Sequence, residues 1–85
     1  MAHVPIITAE QCRAARGLLD WSQQELADAA HVGTVTVRGL ERGKTQPRRL
    51  SAEAIRAALE NAGVTFLDGE EPGVRLRKGA KQVPF

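Results

Sequence analysis

SQQELADAAHVGTVTVRGLERG, residues 22–43, decides the fold, because it reads as two short helices joined by a tight turn. Ser22 can cap the free amide of Glu25 while Glu25 reaches back to the Ser22 amide, a reciprocal capping box. Trp21 before the cap and Leu26 after it stand at the spacing of a hydrophobic staple. Leu26, Ala27 and Ala30 then repeat at helical spacing, which predicts a helix over residues 23–30. A second helix over 34–42 carries Val37 and Leu40 three apart, and Gly43 follows as its C-terminal stop. Ala27 is small where the two helices would have to cross closely. The second helix runs out into a basic cluster.

Working outward, Thr8 and Gln11 form another capping-box pattern and predict a helix over 9–19. Cys12, Ala15, Leu18 and Leu19 give it an apolar face, and Arg13 and Arg16 keep its other side polar. Gly17 inside it costs about 1 kcal/mol against alanine; it either admits a close backbone neighbour or does nothing. Residues 1–7 read as frayed, with Pro5 blocking a helix there. Beyond Gly43, Lys44-Thr45-Gln46-Pro47-Arg48-Arg49 is a polar loop closed by proline. Leu50 and Ser51 read as staple and cap of a helix over 52–62, with Ile55 at the matching staple position. Ala54, Ile55, Ala58, Leu59 and Ala62 form its apolar face, and Gly63 stops it. Val64–Leu67 and Val74–Arg77 are strand-like runs around a segment rich in turn formers, hence a hairpin over 64–77. Residues 78–85 read as a mobile tail.

Gln23, Ala27, Val32, Val37 and Leu40 together resemble the helix-turn-helix of the Cro and phage-repressor (Xre-like) family. The ending Leu40-Glu41-Arg42-Gly43-Lys44 resembles it as well. The resemblance covers about Thr8 to Gly63. It implies a mainly α, lambda-repressor-like fold of four helices over 1–63, to which this chain adds a short C-terminal β-hairpin. In that family the position of His31 is usually glycine, because the backbone there turns left-handed. Histidine adopts that conformation at a cost of about 1 kcal/mol.

The 85 residues allow one small domain, and 42% hydrophobic content is enough to fold it. No apolar run approaches the roughly 20 residues of a membrane span, and the N-terminus has no signal-peptide pattern. A single cysteine, Cys12, excludes an internal disulfide and fits a reducing, cytoplasmic setting. His3, His31 and Cys12 stand at unrelated spacings, so neither a zinc site nor any cofactor is expected. The net charge of +2 hides an uneven distribution. Arg38, Arg42, Lys44, Arg48 and Arg49 face one acid, Glu41, whereas residues 50–71 hold Arg56 against Glu53, Glu60, Asp68, Glu70 and Glu71. The basic patch reads as a footprint for a polyanion, and the bland alternative is a solvated charged face.

If Val37 and Leu40 face the core, Thr34, Val35 and Arg38 face outward. An α-helix fits the DNA major groove and its N-terminal residues reach base edges. Arg38 can pair bidentately with guanine, Thr34 can hydrogen-bond a base edge, and Val35 can pack on a thymine methyl. The competing reading makes Val35 core and Arg38 merely solvated. Phosphate contacts are expected from Ser22 and Gln23 at a helix N-terminus, and from Thr36, Arg42, Lys44 and Arg49 around the recognition helix. The resemblance implies a structural pair between Arg16 and Glu41. Partly buried, it would cost about 3–5 kcal/mol to break; as two surface charges it would be worth under about 1 kcal/mol.

No catalytic constellation is legible. The expected function is that of a bacterial or phage transcriptional regulator, occupying an operator as a homodimer. Repression is favoured over activation, because these residues leave no space for an effector domain. The alternative is an antitoxin that binds a toxin protein and its own operator; a structural helical bundle is disfavoured by the charge map. The hairpin is either the dimer element or a cover for its own helices.

Overall fold

Helix α1 spans Ala9–Leu19, α2 Gln23–Ala30, α3 Thr34–Arg42 and α4 Arg49–Asn61; strands β1, Val64–Leu67, and β2, Gly73–Leu76, follow. The computed structural model describes residues 5–44 and 46–77. His3, Thr45 and the tail 78–85 expected to be mobile lie outside the described residues. None of the described helices is long and apolar enough to cross a membrane.

The first two helices start on reciprocal caps. Gln11 N donates to Thr8 Oγ1 and Thr8 N to Gln11 Oε1, both at 3.0 Å. Glu25 N donates to Ser22 Oγ at 3.0 Å and Ser22 N to Glu25 Oε1 at 2.7 Å. Each satisfies amides that a helix start leaves without intrahelical partners. Both helices end on a left-handed residue, Asp20 and His31, each with φ 59°. At His31 the turn closes when Val32 N donates to Ala27 O at 3.0 Å. Helix α3 ends at Gly43, φ 69°, where a side chain would be strained.

Cys12, Ala15 and Leu19 of α1, Leu26 and Ala27 of α2, Val37 and Leu40 of α3, and Ile55 and Leu59 of α4 meet in one core. Ala27 is fully buried, and α2 packs on both α3 and α4. The hairpin adds Val64 and Phe66 to that core. Its strands are antiparallel, with Val64 opposite Leu76 and Phe66 opposite Val74. These four residues share the inner face, β1 over α4 and β2 over α1.

Three expectations change, and one open alternative is resolved. Helix α4 begins at Arg49, so Ser51 is not its cap, and Leu50, 80% exposed, staples nothing. Arg49 and Leu50 are good helix formers, and the i,i+4 pair of Arg49 with Glu53, 3.0 Å, supports the added turn. Leu18 is 39% exposed, because it falls off the Cys12–Ala15–Leu19 stripe. Residues 5–7 are tied down: Ile7 is buried, and Ile6 O accepts from Arg56 Nη1 at 2.8 Å. Gly17 admits no close neighbour, since a Cβ there would meet nothing within 4 Å.

Candidate nucleic-acid interface

Helix α3 has two chemically different faces. Val37, Leu40 and Glu41 are buried; Val35, Arg38 and Arg42 are exposed, and Thr34 and Thr36 are half-buried. The apolar pair Val37 and Leu40 orients the helix, as amphipathic burial requires. Glu41 fixes it further.

The Glu41 carboxylate, in a residue only 5% exposed, is held by three side chains. Arg16 grips it bidentately, Nε to Oε2 at 2.6 Å and Nη2 to Oε1 at 2.8 Å. Gln23 Nε2 donates to Oε1 at 3.1 Å, and the Cys12 thiol donates to Oε2 at 3.1 Å. Arg13 Nη1 donates to the Glu41 backbone carbonyl, and Arg16 Nη1 to Trp21 O at 2.8 Å. One carboxylate therefore joins α1, the start of α2 and the last turn of α3. Burial acts to raise the Glu41 pKa, but the hydrogen bonds from Arg16, Gln23 and Cys12 and the Arg16 charge outweigh it and hold it below the ordinary value. The bond to Glu41 raises the Arg16 pKa in turn. Burial, then the bond to Glu41, pushes the Cys12 thiol well above its ordinary range, so it is an inert neutral donor.

This geometry has an electrostatic consequence. Glu41 is the one acid among the cations of residues 38–49, and its charge is consumed inside the domain. Arg38, Arg42, Lys44 and Arg48 are all exposed on or after α3. The surface there is positive without an internal counter-charge from its own segment.

The candidate contact residues differ in their freedom. Val35 is 73% exposed, which removes the reading that it is core. Among the described residues, Arg38, Arg42 and Lys44 make no side-chain hydrogen bond or ion pair. Thr34 Oγ1 donates to Gln24 Oε1 at 2.6 Å. Ser22 is exposed at the α2 cap. Gln23 turns its side-chain amide inward to Glu41 at 3.1 Å, which leaves backbone amides as the outward donors of that helix start. Arg49 forms an exposed ion pair with Glu53 at 3.0 Å, unlike Arg38, Arg42 and Lys44.

Sequence reasoning passed over Cys12 and Arg13 as Glu41 partners, and over Gln24 with Asp28. The i,i+4 spacing of Gln24 and Asp28 was the available signal for the second pair. Nothing in spacing alone joins Cys12 to Glu41, 29 positions away.

A search of curated proteins finds no match to the chain. The family model described as helix-turn-helix (HTH_3) matches residues 13–65, from α1 to the first strand. That span contains the Arg16–Glu41 clasp, the left-handed turn at His31 and the exposed face of α3. The chain belongs to the HTH_3 helix-turn-helix family of DNA-binding domains.

Proposed function

We propose that the chain is a sequence-specific transcriptional regulator that lays α3 in the major groove and occupies an operator as a homodimer. The observation that carries this reading is the division of α3: its inner face is locked through Glu41, and its outer face offers Thr34, Val35 and Arg38. Arg38 reads guanine, Thr34 a base edge and Val35 a thymine methyl. Ser22, Gln23, Thr36, Arg42, Lys44 and, at the margin, Arg49 hold phosphates and set register. Repression by occupancy is the proposed mode, since it asks of the protein only that it bind.

The hairpin is the proposed dimer element. In its ladder Arg77 N donates to Gly63 O at 2.8 Å, so the bonded pairs are 63/77, 65/75 and 67/73. The N–H and C=O groups of Val74 and Leu76 then point to the outer edge of β2, and no described residue bonds them. Their side chains are half-buried, and exposed Ala14 and Leu18 lie on the hairpin-facing side of α1. An open strand edge beside uncovered apolar surface suits a twin chain. On α1 the groups that reach α3, Cys12 and Arg16, lie across the helix from Leu18. A two-fold axis at β2 therefore leaves the recognition helices outermost, as half-sites one DNA turn, about 34 Å, apart require.

Selection from a random duplex library with the full chain tests the reading, the expected product being a near-palindromic site bound with steep salt dependence. Ending the chain at Gly63 would strip Val64 and Phe66 from the core, so the dimer is better tested with Val74→Pro. That change blocks the outward N–H of β2 and also replaces the half-buried Val74 side chain, so circular dichroism and thermal unfolding must first show a folded chain, which should then sediment as a monomer. A Val74→Pro protein that still sediments as a dimer refutes the hairpin interface.

A further inference from the structure

The outward end of α3 carries a short hydrogen-bond chain that dictates what its first residue can read. Gln24 Nε2 donates to Asp28 Oδ1 at 2.8 Å, and Thr34 Oγ1 donates to Gln24 Oε1 at 2.6 Å. The directions follow from chemistry. A carboxylate only accepts, so Asp28 takes the amide N–H and turns the Gln24 oxygen toward Thr34. That oxygen also only accepts, so the single hydroxyl proton of Thr34 is spent on it. Two lone pairs remain for the groove.

We infer that the Asp28–Gln24–Thr34 chain makes Thr34 an obligate acceptor, and so a reader of exocyclic amino groups. In the major groove only adenine N6 and cytosine N4 donate; guanine O6 and N7 and thymine O4 accept. Every base pair carries one such amino group. Thr34 therefore reads strand orientation, demanding adenine or cytosine on the strand it faces and a keto base opposite. Gln24 and Asp28 are specificity-determining through Thr34 and need touch no base. The inference rests on the regulator reading, with α3 as the recognition helix.

Selected sites for the full wild-type chain and for Thr34→Ala identify the base position that depends on Thr34. Affinity is then measured on that duplex with the amino base replaced by its analogue lacking the amino group. Wild type should lose about 3- to 10-fold, the worth of one net hydrogen bond, and Thr34→Ala should lose nothing further. Gln24→Ala returns the hydroxyl proton to the groove, and should accept either strand orientation within about twofold. Equal losses in wild type and Thr34→Ala, or an unchanged preference in Gln24→Ala, would each overturn the inference alone. A wild-type chain that binds no duplex overturns the regulator reading as well.

Discussion

Two polar clusters hold this domain together, and they differ in depth. The Glu41 cluster lies beneath α3, with the Glu41 side chain 4% and the Arg16 side chain 21% exposed. The second joins the hairpin to the helices. Arg56 Nη2 reaches Asp68 Oδ2 at 3.1 Å, its guanidinium stacks 4.6 Å over the Phe66 ring, and Gln11 Nε2 donates to Leu67 O and to Asp68 Oδ1. The Asp68 side chain is 46% exposed. Water can replace a partner lost from the hairpin cluster, but cannot easily reach Glu41. Similar chemistry is thus structural bedrock at one site and fine adjustment at the other.

The largest separation between the two should come from single deletions. Arg16→Ala leaves a buried carboxylate without its bidentate partner and should cost about 3–5 kcal/mol in urea unfolding. A double-mutant cycle with Glu41→Ala should return a coupling well above zero; a coupling near zero would reduce the clasp to two independent charges. Next in size is thiol protection. Cys12 should label in the native protein more than about 100-fold more slowly than in the unfolded chain, because the buried neutral thiol reacts only through opening.

Acid dependence ranks third. The folded-state pKa of Glu41 lies below its ordinary value of 4.5, so its contribution is complete above the unfolded value and is lost as pH falls through the folded one. Stability should therefore decline below about pH 5, and Glu41→Gln should flatten that decline. Asp68 is also lowered, by its hydrogen bonds from Arg56 and Gln11, and works in the same direction. Its exposure makes the effect smallest: Asp68→Ala should cost under about 1 kcal/mol, and a loss comparable to that of Arg16→Ala would erase the distinction between the clusters.

What was legible in the sequence was local. Both reciprocal caps and the stop at Gly43 are decided by residues within four positions of one another, the left-handed turn at His31 was implied by the resemblance, and the amphipathic stripe of α3 follows from helical periodicity. The start of α4 was misread because Ser51 satisfies a cap pattern that Arg49 and Leu50, both content in a helix, override. Leu18 looked like core because it sits next to Leu19, yet one residue is 100° of helix rotation and the stripe excludes it. The cluster around Glu41 depends on which side chains the fold brings together. The resemblance implied its Arg16 half; no local pattern contains Cys12 or Gln23 as partners of the same carboxylate.

On the proposed reading, α3 presents Arg38 to a base while its flanking cations hold only phosphate. Titration of the selected duplex, and of one altered at a single guanine, with wild type, Arg38→Ala and Lys44→Ala over a range of salt tests it most directly. Arg38→Ala should lose about 1–3 kcal/mol on the selected duplex and stop distinguishing the two. Lys44→Ala should weaken both duplexes alike and reduce the salt slope by about 1. An Arg38→Ala protein that keeps wild-type affinity and discrimination would contradict the account.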